Sequence, residues 1–577
     1  MHGTLRIKIE IFKQFSRFTA SHTFCSSRVN FPTNPTPKTL DLLLNQRPPL
    51  LQLEQVHAQV ITKSLSSYSI LIDSLIHCYL STNSLTIART LFDQYPNYPP
   101  PILLWNLVIR SYSKLPNSLE PISLFCRLNA LEDDPPVIAD KFTFTFLITS
   151  CTHQTSELHG LIVHGIVTKN GYLSNLYVGN SLINLYGVFA RLDDACKVFD
   201  EMSERDVFSW TSLLGGHAKQ GEMDKASEIF AMMPLRNMIS WTVIISGFLD
   251  CGKYIKALVC FYDMLMESHD SLKPNEAVLV CALSACSPLG ALDQGNSIHA
   301  YINKSGFTKR SNISTALIDM YAKCGTINSA YQVFHKISQP DVCNYTSMIS
   351  GFSSHGLGGN ALQVFHQMLA ENIAPNEVTL LGVLTGCSHS GLVEEGSSIF
   401  HKMASMWNIA AKVEHYGCYV DLLGRAGYLK TALLIAIKMP LDADIVIWRA
   451  LLSACRIYKD VSLADKIIAY VRQGYFSQFD GSEVLLSNLY ASLNTWERVG
   501  EVRKLMSQRK NESESESESK SNFGCSWIEV NGVVHDFRVD DQLHPQIVMV
   551  RDKLHKVLNM LVLEGNTFLV PEDMGSV

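Results

Sequence analysis

A chain of 577 residues is too long for one hydrophobic core, and its length alone suggests about four domains of ordinary size. Its composition, 47% hydrophobic and 18% charged, is that of folded protein, and a net charge of −6 argues against binding nucleic acid through bulk charge, though not through a locally arranged surface. The 15 cysteines form no Cys-x-x-Cys pair and are too sparse for a secreted disulfide scaffold, and no apolar run reaches the roughly 18 residues of a membrane span.

Residues 1–33 differ from the rest. Arg6, Lys8, Lys13, Arg17 and Arg28 stand against the single acid Glu10, among hydroxyl residues and Ile, Leu and Phe. This pattern suits an amphipathic organelle presequence, a mitochondrial one in preference to a chloroplast one; a secretory signal would carry a cleaner apolar core. A disordered N-terminal arm is the alternative.

From residue 34 a period emerges. Residues 34–68 keep it loosely, in LEQVHAQVITKS (Leu53–Ser64). Further on, Trp105, Trp210 and Trp241 lead the strings WNLVIRSY, WTSLLGGH and WTVIISGF, and Tyr345 leads YTSMISGF. Trp210 and Trp241 lie 31 residues apart; so do Ala195, Ala226 and Ala257 in succession, and Phe199, Phe230 and Phe261. Ala330/Phe334 and Ala361/Phe365 repeat that step. The units run 69–101, 102–140, 141–175, 176–206, 207–237, 238–275, 276–310, 311–341, 342–376, 377–412 and 413–444, about 12 repeats with the looser first one.

Each unit reads as two helices. In WTSLLGGHAKQGEMDKASEIFAMMP the apolar positions fall three and four apart on either side of Gly221, and Pro234 helps end the second run. Gly252, Gly325, Gly356 and Gly427 hold the same place elsewhere, and the recurring alanines are the small residues that let two helices approach. A lone pair of short helices cannot bury its apolar face, so the units must stack into a superhelix with a concave surface. His57, His164 and His299 recur on apolar helical faces and read as structure. Cys286 and Cys455 read as small buried hydrophobes, and His355 and His389, each before a glycine, as turn residues.

LIDMYAKCG, VDLLGRAG and WTSLLGGHAKQG in combination resemble the pentatricopeptide repeat proteins of plant organelles, in the subclass that alternates ordinary, long and short repeats. Tetratricopeptide repeats carry a different aromatic pattern. The resemblance covers 34–444 and implies an all-α fold, a right-handed superhelical solenoid of helix-turn-helix repeats with helical C-terminal extensions. Residues 445–510 resemble that family's two extension motifs, through IVIWRALLSACRIYKDVSLADKIIAY and GSEVLLSNLYASLNTWERVGEVRKLM. The acidic Ser/Glu tract 511–522 departs from the family and reads as an exposed linker. Residues 523–577, with GCSWIEVNGVVHDFRVDDQLHP, resemble the truncated start of a deaminase-like domain. The zinc deaminase signature His-x-Glu followed by Pro-Cys-x-x-Cys is absent, as are Walker A, Gly-x-Gly-x-x-Gly and Gly-x-Ser-x-Gly strings. No catalytic residue, metal site or cofactor is expected.

The resemblance further implies a ligand, single-stranded RNA, with one repeat facing one base through the repeat's fifth and last residues. Asn106 with Asp140 and Asn180 with Asp206 then prefer U. Thr211 with Asn237, Thr242 with Asn275, and Thr346 with Asn376 prefer A, and Thr315 with Asp341 prefers G. Asp73/Pro101, Val280/Arg310, Leu381/Lys412, Thr145/Asn175 and Gly417/Asp444 give no dependable letter. Read from 102–140 to 342–376, with the RNA 5′ end toward the N-terminus, the site is U-x-U-A-A-x-G-A, its last A six positions before a target cytidine. The implied role is choosing cytidines for C-to-U editing of organellar transcripts, with a deaminase-bearing protein acting in trans. Splicing, transcript stabilisation or a protein-only scaffold are the alternatives. The same Asp and Asn residues could instead serve only as helix caps.

Overall fold

Where the apolar positions recur three and four apart, the chain forms short helices in pairs. The computed structural model describes residues 36–474, except 97–98, 132–136, 155, 268–272 and 308–309, together with 487–488, 490–491, 496–513, 525–530 and 533–538. The expected presequence, part of the second extension motif and most of 511–577 lie outside the described residues.

The chain divides into two compact units, Met1–Gln220 and Gly221–Val577. The first holds α1 (Pro37–Asn45), α2 (Leu50–Thr62), α3 (Ser69–Ser81), α4 (Leu85–Asp93), α5 (Ile102–Ser113), α6 (Glu120–Asn129), α7 (Lys141–His153), α8 (Glu157–Lys169), α9 (Leu176–Val188), α10 (Leu192–Glu201) and α11 (Val207–Lys219). The second opens with α12 (Met223–Met232), α13 (Met238–Asp250), α14 (Tyr254–Glu267), α15 (Glu276–Leu289), α16 (Leu292–Ser305), α17 (Ser311–Lys323) and α18 (Ile327–His335). It continues with α19 (Val342–Ser354), α20 (Gly358–Ala370), α21 (Glu377–Ser390), α22 (Val393–Trp407), α23 (Val413–Arg425), α24 (Leu429–Lys438), α25 (Ile445–Tyr458), α26 (Val461–Gly474) and α27 (Trp496–Ser513). Asn511–Ser513, the start of the segment expected to be a linker, are therefore helical.

Within each unit the first helix of a pair packs on the first helix of the next pair. The second helix packs on its own partner and on the first helix that follows. From α13 to α24 the joint between the two helices of a pair is a glycine in the left-handed region, with φ of 69° at Gly252, 84° at Gly325 and 86° at Gly427, a conformation that costs other residues about 1–2 kcal/mol; in the first unit Asn83, Asn117 and Ala190 adopt it at the same place, with φ of 60°, 58° and 58°. Ala195, Ala226, Ala257, Ala330 and Ala361 are all buried, as small residues at a helix contact should be.

The two aromatic ladders meet. Phe92 packs edge-on against Trp105 with ring centres 4.7 Å apart; Phe199 does the same to Trp210 at 4.8 Å, Phe230 to Trp241 at 4.7 Å, and Phe334 to Tyr345 at 5.1 Å. A phenylalanine at the end of one pair thus joins it to the aromatic that opens the next. Arg205 and Arg236 tighten two of these joints. Each donates its Nε–H to the carbonyl of the neighbouring phenylalanine, Phe199 or Phe230, and lays its guanidinium over that ring.

β1 (Cys525–Val530) and β2 (Val533–Arg538) form an antiparallel hairpin with Trp527 opposite Asp536, the one non-helical regular element among the described residues. Helices were expected for 445–510, and the hairpin falls in 523–577, to which no secondary structure was assigned; the fold is otherwise all-α. His389 corrects one expectation. It lies within the last turn of α21, where Nδ1 is 3.1 Å from the Ser353 carbonyl, and not in the turn that follows.

The histidines expected to be structural are paired. The Nδ1 atoms of His57, His164 and His299 are hydrogen-bonded to the hydroxyls of Tyr79, Tyr186 and Tyr321 at 3.0, 2.5 and 2.8 Å, each partner 22 residues further on. Burial lowers all three imidazoles from their ordinary value, His57 to about 4. Cys286 and Cys455 are fully buried, and burial pushes the Cys455 thiol up to about 12, far from a thiolate nucleophile. Because the unfolded chain protonates His57 first, its neutral packing contributes fully above about pH 6.5 and is lost as pH falls toward 4. The thermal unfolding midpoint should therefore drop between pH 7 and pH 5, and less steeply in a His57→Gln variant.

Candidate nucleic-acid interface

The start of an α-helix leaves backbone N–H groups without partners, and the residue just before it is where a side chain can accept from them. In six pairs this residue is one of those expected at the end of an RNA-reading repeat. Asp140 caps α7, Asp206 caps α11, Asn237 caps α13, Asn275 caps α15, Asp341 caps α19 and Asn376 caps α21, every one through its side chain. Capping is therefore a real duty of these residues.

It is not their only one. The fifth residue of each first helix sits in its second turn, too deep to cap that helix, and in two places it reaches the next cap directly. Asn106 Nδ2 donates to Asp140 Oδ1 at 2.9 Å, and Asn180 Nδ2 donates to Asp206 Oδ1 at 3.2 Å. A carboxylate can only accept, so it fixes which way each amide faces. All the bonds that Asp140 and Asp206 accept here, from the following helix and from these amides, fall on Oδ1. Each carboxylate has a second oxygen outside that set.

Burial pushes the Asp206 carboxyl up, but bonds from the Ser209 N–H and hydroxyl and from the Asn180 amide outweigh it and hold the group below the ordinary carboxylate value. It is an anion at any cellular pH. Thr211 and Thr242 donate their hydroxyls to the carbonyls one turn back, Val207 at 2.6 Å and Met238 at 2.7 Å, which leaves their lone pairs for a ligand. Thr315 accepts from Asn344 Nδ2 at 2.8 Å, and Asp341 accepts from Asn344 N and from the Ser311 hydroxyl. Thr346 shares a 2.7 Å bond with Thr379. Asn237, expected to act with Thr211, belongs to the second unit, where Ser240 completes its capping box.

A further ladder escaped the sequence reading. The second residue of the first helix is apolar and exposed in pair after pair: Ile70, Leu103, Phe142, Tyr177 and Phe208 in the first unit, and Ile239, Val378 and Val446 in the second. It stands three residues before the fifth, a neighbour on the helix surface. The Phe142 and Tyr177 rings are 6.1 Å apart, with the Lys141 ammonium 5.2 and 5.5 Å from their centres. Exposed rings beside a cation are what nucleobases stack on. Single exposed apolar residues are ordinary, so only their recurrence at one place carried a signal.

Among the described residues no group of three or more His, Cys, Asp or Glu could hold a metal ion, and no helix is long and apolar enough to cross a membrane.

Comparison with known proteins agrees with this architecture. The PPR repeat family matches residues 340–389, and the PPR repeat matches 180–207, 208–238, 239–269, 313–339 and 378–407. From Arabidopsis thaliana, pentatricopeptide repeat-containing protein At2g20540 is 39% identical over 496 residues, 85% of this chain and 89% of its own. At2g22410, mitochondrial, is 37% identical, over 83% of this chain and 68% of its own, and At2g02980, chloroplastic, is 33% identical, over 91% and 78%. The chain belongs to the pentatricopeptide repeat protein family. The crystal structure of the pentatricopeptide repeat protein PPR10 from maize has the same fold, with a TM-score of 0.54 at 15% identity over 83% of this chain and 74% of that one. PPR10 has also been solved in complex with an 18-nt psaJ RNA element; that structure aligns at a TM-score of 0.47 and 15% identity over 82% of this chain and 74% of that one. Family and fold are those of helical-repeat proteins, not of enzymes.

If Asp206 caps α11 as described, Asp206→Ala should cost about 1–2 kcal/mol of stability, whereas Asp206→Asn, an equally good cap, should change it by less than about 0.5 kcal/mol. Chemical denaturation of the full chain distinguishes the two.

Proposed function

We propose that this protein reads single-stranded RNA in a plant organelle and selects cytidines for C-to-U editing, with the deaminase supplied by another protein. The observation that carries the reading is the coupling of fifth residue to following cap, seen most directly at Asn106–Asp140 and Asn180–Asp206. In both repeats a polar pair, one member held by the other, stands at the same point.

The chemistry of such a pair explains a two-residue alphabet. Uracil N3 and guanine N1 carry hydrogens on the pairing edge, and a carboxylate can only accept them. Adenine N1 and cytosine N3 are acceptors, and the Nδ2 of a capping Asn can donate to them while its Oδ1 stays on the helix. Asp at the end of a repeat thus favours U or G, and Asn favours A or C. The longer Asn at the fifth place suits the smaller pyrimidines, and Thr suits purines. Exposed second-place residues such as Phe142, Tyr177 and Phe208 supply stacking that is indifferent to base.

On this reading the site is U-x-U-A-A-x-G-A, and the pairs α25–α26 with α27 form the surface for the deaminase-bearing partner. Exposed Ile457, Tyr458, Tyr470 and Trp496 give that surface an apolar character. The basic 1–33 segment and relatives named for both organelles support an organellar address, for which we favour the mitochondrion.

Sequencing of organellar RNA from plants lacking the protein should reveal unconverted cytidines preceded by U-x-U-A-A-x-G-A. Editing left intact, with one intron unspliced or one transcript missing, would move the role to splicing or stabilisation. In purified protein, Asp206→Asn should shift the preferred third letter from U to C while leaving stability unchanged, as measured by competition between RNAs that differ at that letter.

A further inference from the structure

Two pairs of repeats carry the same two reading residues but hold them differently. Asn106 and Asn180 each act with an Asp, and Thr346 and Thr242 each act with an Asn. Of the six fifth residues, Asn106 at 6% exposure and Thr346 at 8% are buried, whereas Asn180, Thr211, Thr242 and Thr315 are half-exposed. The distinguishing feature is the third residue of the next helix, which is threonine behind both buried residues.

Thr143, fully buried, donates its hydroxyl to Asn106 Oδ1 at 2.6 Å while Asn106 Nδ2 is held by Asp140. Both ends of that amide are engaged. The counterpart of Thr143 behind Asn180 is Ser209, whose hydroxyl goes to Asp206 Oδ1, and Asn180 Oδ1 is left buried with no partner. A buried acceptor without a partner is costly, and an amide held by one bond can turn about its last torsion to meet a ligand N–H. Uracil N3–H, the hydrogen offered to Asp206, can then be shared with this oxygen; cytosine N3 carries none.

The second comparison runs in parallel. Thr379 closes the cap of Asn376 and shares a 2.7 Å bond with the Thr346 hydroxyl, in which either oxygen can donate, so that hydroxyl is engaged and under cover. Behind Thr242 the third residue is Val278, which makes no such bond, yet Asn275 still caps α15 through the Val278 N–H at 2.9 Å.

We propose that the third residue of each first helix is a positioning residue that sets how strictly the preceding repeat reads its base, and that Thr143 and Thr379 lock their repeats into weak discrimination. The inference rests on the RNA-reading proposal above. The first and last letters of U-x-U-A-A-x-G-A are then relaxed, and selectivity resides in U-A-A-x-G.

The test uses the full chain and RNAs carrying single substitutions. Changing U to C at the first letter, or A to G at the last, should weaken binding less than about threefold, against about tenfold for the same changes at the third and fifth letters, the scale of one hydrogen bond. Thr143→Val and Thr379→Val should raise the first- and last-letter dependence toward tenfold without altering the third and fifth. Val278 shows that valine at this place is compatible with the cap. Ser209→Thr, which keeps the hydroxyl, should relax the third letter. Equal dependence at first and third letters and at last and fifth in the unaltered protein, or variants that change affinity for every RNA alike, would overturn the inference and leave the reading intact. Indifference to all eight letters would overturn both.

Discussion

The structure depends on a constraint at the start of helices: a short helix must find acceptors for its first N–H groups, and here it takes them from the side chain that ends the preceding repeat. Asp140, Asp206, Asp341, Asn237, Asn275 and Asn376 all do this. The bond pins one oxygen on the backbone and leaves the rest of a carboxylate or amide in a defined direction. At Asp140 and Asp206 the pinned oxygen also receives the amide of the fifth residue, Asn106 or Asn180. One side chain closes the helix with one atom and, on the proposed reading, offers its other to RNA.

Packing carries that geometry from repeat to repeat. Phe199 against Trp210 and Phe230 against Trp241 fix the stacking of consecutive pairs, and a left-handed residue, glycine from α13 to α24, sets the return angle inside a pair. The buried alanines bring the helices close, and the three His–Tyr bonds, each 22 residues apart, serve the same end. The polar pairs recur because the scaffold that holds them recurs.

Much of this was legible in the sequence, and what was not had a reason. Helical spacing on both sides of Gly221 foretold α11 and α12, because burying one face of a short helix imposes that period. The phenylalanine and tryptophan ladders were each visible, but their contact crosses a turn between helices and no helical arithmetic predicts it. The strands at 525–530 and 533–538 had a usable signal: Asn531-Gly532, a two-residue turn sequence, parts two runs bearing β-branched and aromatic residues, CSWIEV and VVHDFR. The residues of the candidate site were readable as a pattern. Their inequivalence was not, since Asn106 and Asn180 look alike until Thr143 and Ser209 are brought beside them by the fold.

The capping duty also bears on how such a protein acquires new targets. A reading residue that must also close a helix is confined to the few side chains able to do so, and Asp and Asn are the best of them. They differ by one group of equal size, and their codons differ by a single nucleotide. On the proposed alphabet, exchanging them swaps U for C or G for A while the scaffold stays as it is. A repertoire of such proteins can therefore follow base changes in its transcripts by single mutational steps, without passing through unfolded intermediates.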